Sequence, residues 1–224
     1  MNDAVHPMDT LDGLKDRLNS GRLCYALFHS SLPYVPLVIL HTALLQIIPR
    51  TLKDLDNRLP QSNITPRVAA FYSITNACPG LSGLELGKYL IKGVMDILTN
   101  DYKNSLSEFV TLSPIPGFRS WLLENKSTVL KGNLFQPMND NEKEALMTLL
   151  DWSQNGINDT TNEQIRYIKQ ARTILMRLAA NYLCSHNSSG YPLDRVTRFH
   201  MRNGASMLSL NFLADLSPMG IANR

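Results

Sequence analysis

Apolar residues change their spacing several times along this chain, and each change predicts an element. Arg22 to His29 and Pro36 to Leu44 are two runs of strand character, joined by Ser30-Ser31-Leu32-Pro33-Tyr34-Val35, whose serines and prolines suit a hairpin loop. An antiparallel pair is predicted there. After the polar stretch Lys53 to Pro66, Val68-Ala69-Ala70-Phe71-Tyr72-Ser73-Ile74-Thr75 is an almost unbroken apolar and aromatic run, the pattern of a central strand. A glycine-rich turn follows, and Leu90, Ile91, Val94, Ile97 and Leu98 then recur at helical spacing. Glu108 to Ser113 is a further short strand, halted by Pro114-Ile115-Pro116-Gly117. Because a helix separates it from strand 68–75, it is predicted to lie parallel beside that strand.

The second half reads differently. Residues 139–185 are predicted to form a helical insertion, with a polar entry at Asn139-Asp140 and capping-box spacing at Thr161-Asn162-Glu163-Gln164. Ile165, Ile168, Ala171, Leu175, Leu178, Ala179 and Tyr182 mark one face of it. Beyond it, Asp194 to Phe199 is predicted as a short helix and Ala205 to Leu213 as a strand carrying Met207, Leu208, Leu210, Phe212 and Leu213. The fold class is α/β, a mixed sheet flanked by helices.

A length of 224 residues with 44% hydrophobic residues matches one core, so a single domain over 1–224 is expected. The charge of +3 comes from 22 basic and 19 acidic residues without a block of one sign, which argues against a nucleic-acid partner. Cys24, Cys78 and Cys184 lack paired spacing, so neither a disulfide framework nor a zinc site is expected. Met1 to His6 lacks the basic start and apolar run of a secretory signal, and the apolar stretch around Pro36 to Ile48 is too short to span a bilayer. An intracellular protein without a membrane span is the expectation.

Three segments carry candidate chemistry. Pro79-Gly80-Leu81-Ser82-Gly83-Leu84-Glu85-Leu86-Gly87 lies between an apolar strand and an amphipathic helix, where glycines admit a ligand to the backbone and the leading helix amides suit a pyrophosphate. A tight turn without a ligand has the same pattern, and the spacing fits neither a P-loop nor a serine-hydrolase elbow. Ser113 ends a strand before two prolines, a place where serines commonly bond to backbone and where a hydroxyl would face the sheet edge of the glycine turn. His200, in Phe199-His200-Met201-Arg202-Asn203-Gly204-Ala205, is either a proton carrier or a structural histidine; no other histidine stands at metal-ligand spacing from it.

In the same order along the chain, Arg22-Leu23-Cys24-Tyr25, Pro36-Leu37-Val38-Ile39-Leu40-His41, Phe71-Tyr72-Ser73-Ile74, Gly80 to Gly87, Leu112-Ser113-Pro114-Ile115-Pro116-Gly117-Phe118 and Phe199-His200-x-x-Asn203-Gly204-Ala205 resemble the malonyl-CoA decarboxylase family. The resemblance implies an acetyltransferase-like (GNAT-type) fold and conversion of malonyl-CoA to acetyl-CoA and carbon dioxide, in fatty acid metabolism. By the same resemblance Ser82, Gly83, Leu84, Glu85, Leu86, Gly87 and Lys88 bind the CoA thioester, and Ser113, His200 and Glu85 are the catalytic residues. His200 is assigned as proton donor, Ser113 as proton acceptor and Glu85 as the orienting group; exchanging the serine and histidine roles fits the sequence equally well. Neither a metal nor an organic cofactor is implied, and the thioester is the substrate.

Family members are mitochondrial, peroxisomal or cytoplasmic and form homo-oligomers in their full-length form. They carry a helical domain ahead of this region and, past the position of Arg224, another strand with a functional tyrosine. The resemblance therefore implies a truncated chain with low activity as it stands. Competing readings are an acyl-CoA N-acyltransferase on the same fold and an inactive CoA-binding regulatory fragment.

Overall fold

The computed structural model describes residues 21–56, 65–81, 84–103, 105–131, 138–154, 162–216 and Gly220. They fall into two compact units, 1–113 and 114–224.

The first unit is a four-stranded sheet in the order β1 (Arg22–Leu27), β2 (Val38–Leu45), β3 (Val68–Asn76), β4 (Glu108–Thr111). The predicted hairpin is present, with Arg22 opposite Ala43 and Leu27 opposite Val38. β2 and β3 are also antiparallel, whereas β4 runs parallel to β3 from Val68/Glu108 to Phe71/Thr111. A parallel neighbour cannot be reached by a tight turn. The crossover is made by α1 (Leu86–Asp101), whose Leu90, Val94 and Leu98 pack on Val38, Leu40, Leu44, Ala69 and Phe71.

The other sheet face packs Ala43, Leu45, Val68, Ala70 and Tyr72 with Leu55 of a short 3₁₀ turn, Leu52–Asp56. Arg22 fastens that turn: its guanidinium donates to the Leu55 carbonyl and lies 5.0 Å over the Tyr72 ring. Pairing skips a residue where His41 faces Ser73 but Thr42 faces Phe71, which leaves Tyr72 as the extra residue of a bulge on β3. The helix-facing parity shifts from Phe71 to Ile74 across it. The bulge sits one residue beyond the last β3–β4 pair, so β3 runs five residues past β4.

The second unit is helical. It comprises α2 (Phe118–Glu124), α3 (Lys126–Leu130), α4 (Asp140–Gln154), α5 (Asn162–Gln170), α6 (Arg172–Cys184) and α7 (Arg195–Arg202). The predicted insertion is therefore present as α4 to α6, but the single face expected from Ile165 to Tyr182 is divided at Ala171, which is fully buried between α5 and α6. Thr161, proposed to cap that helix, lies outside the described residues. Leu122, Val129, Leu146, Leu150, Ile174 and Leu178 form the core of this unit, and Arg177 on α6 pairs with Glu142 on α4 at 3.4 Å.

One expected element is corrected. Residues 205–213 form no strand: they take no regular structure and then turn, with Leu213 at φ 53° and Met207 and Leu208 exposed. Alternating apolar residues favour extended backbone, but a strand is completed by a hydrogen-bonded neighbour, and no described segment supplies one.

Burial on α1 sets the cost of truncating its side chains. Leu98→Ala, at a site 0% exposed, should cost about 2–5 kcal/mol of unfolding free energy. The neighbouring Ile97→Ala, at 47% exposure, should cost about 1 kcal/mol or less in the same denaturant titration.

Candidate functional site

The site begins with the backbone at one end of the sheet. β3 and β4 are parallel, so both deliver their C-terminal ends in the same direction: β3 into the glycine turn, β4 into Ser113. Leu112 still donates its N–H to the Phe71 carbonyl at 3.2 Å, and the next residue, Ser113, is exposed where the chain leaves the ladder. The two prolines after it exclude further pairing, because Pro114 and Pro116 have no N–H to give.

Within the glycine turn, Pro79–Leu81 forms a short 3₁₀ turn and the Leu84 N–H donates to the Leu81 carbonyl at 3.2 Å. Ser82 and Gly83 lie outside the described residues. Glu85 is the N-terminal cap position of α1, and its side chain does not bond to the helix amides. It pairs instead with Lys88 one turn on, at 3.8 Å with both side chains partly exposed. Leu84 and Glu85 are exposed, while Leu86 turns inward onto the helix-facing core. The segment thus has an anchored apolar side and an open polar side bearing a carboxylate and an ammonium. Ser113, Glu85 and the CoA-segment residues Leu84 to Lys88 all belong to the sheet unit.

His200 belongs to the other unit, on α7. Asp194 caps this helix, its Oδ2 accepting from the Thr197 N–H at 2.7 Å. The helix ends at Arg202, shortly after His200: Gly204 at φ 80° donates to Met201 and Ala205 donates back to the His200 carbonyl at 3.1 Å. That is a Schellman ending, and it explains the spacing Phe-His-x-x-Asn-Gly-Ala, since only a residue at ease with positive φ completes it. Asn203 adds a side-chain bond to the Phe199 carbonyl at 2.8 Å. Arg198, lying 4.2 Å over the Tyr191 ring, ties α7 to the preceding loop.

The His200 ring is half-buried and meets Phe199 edge-on at 5.2 Å. Burial pushes its pKa below the ordinary value, and the charge of Asp194 pulls the other way. Sequence reasoning passed over Asp194 as a helix boundary. It is 1% exposed, with Oδ1 lacking a hydrogen-bond partner among the described residues. The one available signal was an aspartate directly before a helical run, which marks a cap but not its burial. Among the described residues no group of three or more His, Cys, Asp or Glu side chains could hold a metal ion, and no helix is long and apolar enough to cross a membrane.

Comparison with known proteins bears directly on this arrangement. The model of the malonyl-CoA decarboxylase C-terminal domain matches residues 1–224. Mitochondrial malonyl-CoA decarboxylase of Anser anser anser is 35% identical over 237 residues, covering 98% of this chain and 46% of that protein. The Rattus norvegicus counterpart is 34% identical, covering 99% of this chain and 47% of that protein. The crystal structure of malonyl-CoA decarboxylase from Agrobacterium vitis superposes with a TM-score of 0.79 at 34% identity, covering 98% of this chain and 52% of that one. The Rhodopseudomonas palustris enzyme gives 0.74 at 33%, covering 98% and 48%. The chain spans about half the length of the relatives it matches, and its mixed α/β architecture is of the acetyltransferase-like kind.

The Asp194–His200 relation predicts separable effects. Asp194→Asn keeps a capping oxygen but removes the charge, so the His200 pKa, read by NMR titration, should fall further while the fold is retained. Asp194→Ala should in addition cost about 1 kcal/mol of stability through the lost cap.

Proposed function

Since the chain belongs to the malonyl-CoA decarboxylase C-terminal-domain family, we propose that it acts on malonyl-CoA, releasing carbon dioxide and acetyl-CoA. The observation that carries this reading is the family match over residues 1–224. The shared sheet end of the glycine turn and Ser113 supports it.

In this reading residues 82–88 hold the CoA thioester, with the leading amides of α1 toward the pyrophosphate and Lys88 adding positive charge. In the same reading the pantetheine arm runs beside β3 residues 72–76, which extend past the end of β4. Loss of carbon dioxide moves the bonding pair onto the α-carbon and into the thioester carbonyl, giving an enolate. Donors that meet the oxyanion lower that barrier, and an acid must then deliver a proton to carbon. His200 is the proton donor, Ser113 the hydroxyl partner and proton acceptor, and Glu85 the group that orients them. The thioester itself delocalises the carbanion, so the mechanism invokes neither metal nor organic cofactor. The reaction belongs to fatty acid metabolism, in mitochondria, peroxisomes or cytoplasm, as a homo-oligomer of the full-length protein.

The test supplies malonyl-CoA to the purified full-length protein, with and without an amine acceptor, and follows carbon dioxide and acetyl-CoA. Stoichiometric release of both without an acceptor is expected; acyl transfer to the amine would identify an acyltransferase, and CoA binding without turnover an inactive module. Ser113→Ala and His200→Asn should each lower kcat about a hundredfold or more with little change in CoA affinity. Acting as a unit, the double variant should be little worse than the worse single one.

The pH profile separates the two role assignments. A donor His200 must start protonated, so activity should fall as pH rises through its depressed pKa, which lies below the ordinary value of 6.5. An acceptor His200 would give the opposite limb, with activity falling as pH drops through that value.

A further inference from the structure

The backbone that follows Ser113 is braced by an aromatic residue from a helix far along the chain. Tyr182, on α6, is 5% exposed and packs its ring against Phe118 at 5.9 Å and Trp121 at 5.3 Å. Phe118 and Trp121 lie on α2, which begins directly after Gly117. The Tyr182 hydroxyl occupies the place where a Cβ on residue 117 would stand, and the ring carbon Cζ lies 3.3 Å from that place. Gly117 is thus the residue that lets the phenol reach the main chain. Its φ of −92° is open to any residue, so this close approach, and not backbone conformation, requires glycine.

Local bonds also shape the four residues after the serine. Two prolines restrict φ, the Phe118 N–H closes a turn onto the Ile115 carbonyl at 3.2 Å, and the Trp121 N–H takes the Gly117 carbonyl at 3.0 Å into α2. These bonds shape the turn from within. Tyr182 is its lateral stop.

We propose that Tyr182 is a positioning residue: by seating its phenol on Gly117 and gripping Phe118 and Trp121, it sets the path of the Pro114–Gly117 turn and so the placement of Ser113. The inference rests on the reading of Ser113 as a catalytic residue. Burial, reinforced by Asp194, raises the phenol's pKa, so the group in contact is neutral near neutral pH. Nothing in this arrangement requires the hydroxyl to touch substrate.

A bump-and-hole series in the full-length protein tests it, with malonyl-CoA as substrate and kcat, KM and melting temperature measured together. Gly117→Ala should drive its new methyl into the phenol and lower kcat about tenfold or more, with KM within about twofold. Tyr182→Phe removes the colliding oxygen, so adding it to Gly117→Ala should recover most of that loss, a coupling that independent sites do not show. Additive effects, or a Gly117→Ala variant with unchanged kcat, overturn the proposal. Should Gly117→Ala fail to fold, Tyr182→Leu takes its place: a folded variant with lower kcat at unchanged KM supports positioning, and unchanged kcat overturns it. A Ser113→Ala control keeps the two claims apart. If it abolishes turnover while the cycle is additive, the tyrosine proposal alone fails. Full turnover by Ser113→Ala removes the serine reading and the positioning role with it.

Discussion

Parallel pairing of β3 with β4 is the constraint on which the candidate site depends. Two strands that follow one another and run the same way need a crossover, and here the crossover consists of the glycine turn and α1. Both strands must therefore release their chains at one end of the sheet, the first into a helix start and the second into Ser113. The apolar contacts of Leu90, Val94 and Leu98 with the sheet hold the crossover in place. Without that packing, the helix start would have no fixed position relative to the strand that carries the serine.

The bulge at Tyr72 refines this arrangement. It coincides with the point where β4 ends, so the central strand changes its facing just where it loses a neighbour. On the face away from α1, Arg22, Tyr72 and the 3₁₀ turn around Leu55 are bound together. One side of the strand is thus devoted to holding the helix and the other to a compact polar and aromatic patch. In the helical unit, α7 is likewise fixed from both ends: a buried aspartate begins the helix, a glycine ends it, and His200 sits between them.

Much of this was legible in the sequence because the signals were local. The unbroken run Val68 to Thr75 announced a central strand, the 3–4 spacing of Leu90 to Leu98 announced its crossover helix, and the two prolines after Ser113 announced a strand end. What escaped was set by tertiary contacts. Residues 205–213 have the alternation of a strand, but pairing is a property of two segments, and composition cannot say whether the second is in reach. Asn203-Gly204 closes the helix of His200 through the bond from Ala205 back to the His200 carbonyl, a contact that residue types alone do not reveal. Tyr182 read as one more apolar position on a helix; its value lies in the distant Gly117 that it meets, which periodicity does not encode.

If the sheet end formed by parallel β3 and β4 receives a CoA thioester, the bound ligand must shield the backbone amides around it. Amide hydrogen exchange of the full-length protein, with and without acetyl-CoA, reads that shielding segment by segment. Ligand-dependent slowing is expected in residues 72–76, 84–88 and 112–117, with residues 65–68, where β3 begins at the opposite end of the sheet, unchanged. Unaltered exchange in those three segments at saturating acetyl-CoA, or slowing confined to other parts of the chain, would rule this placement out.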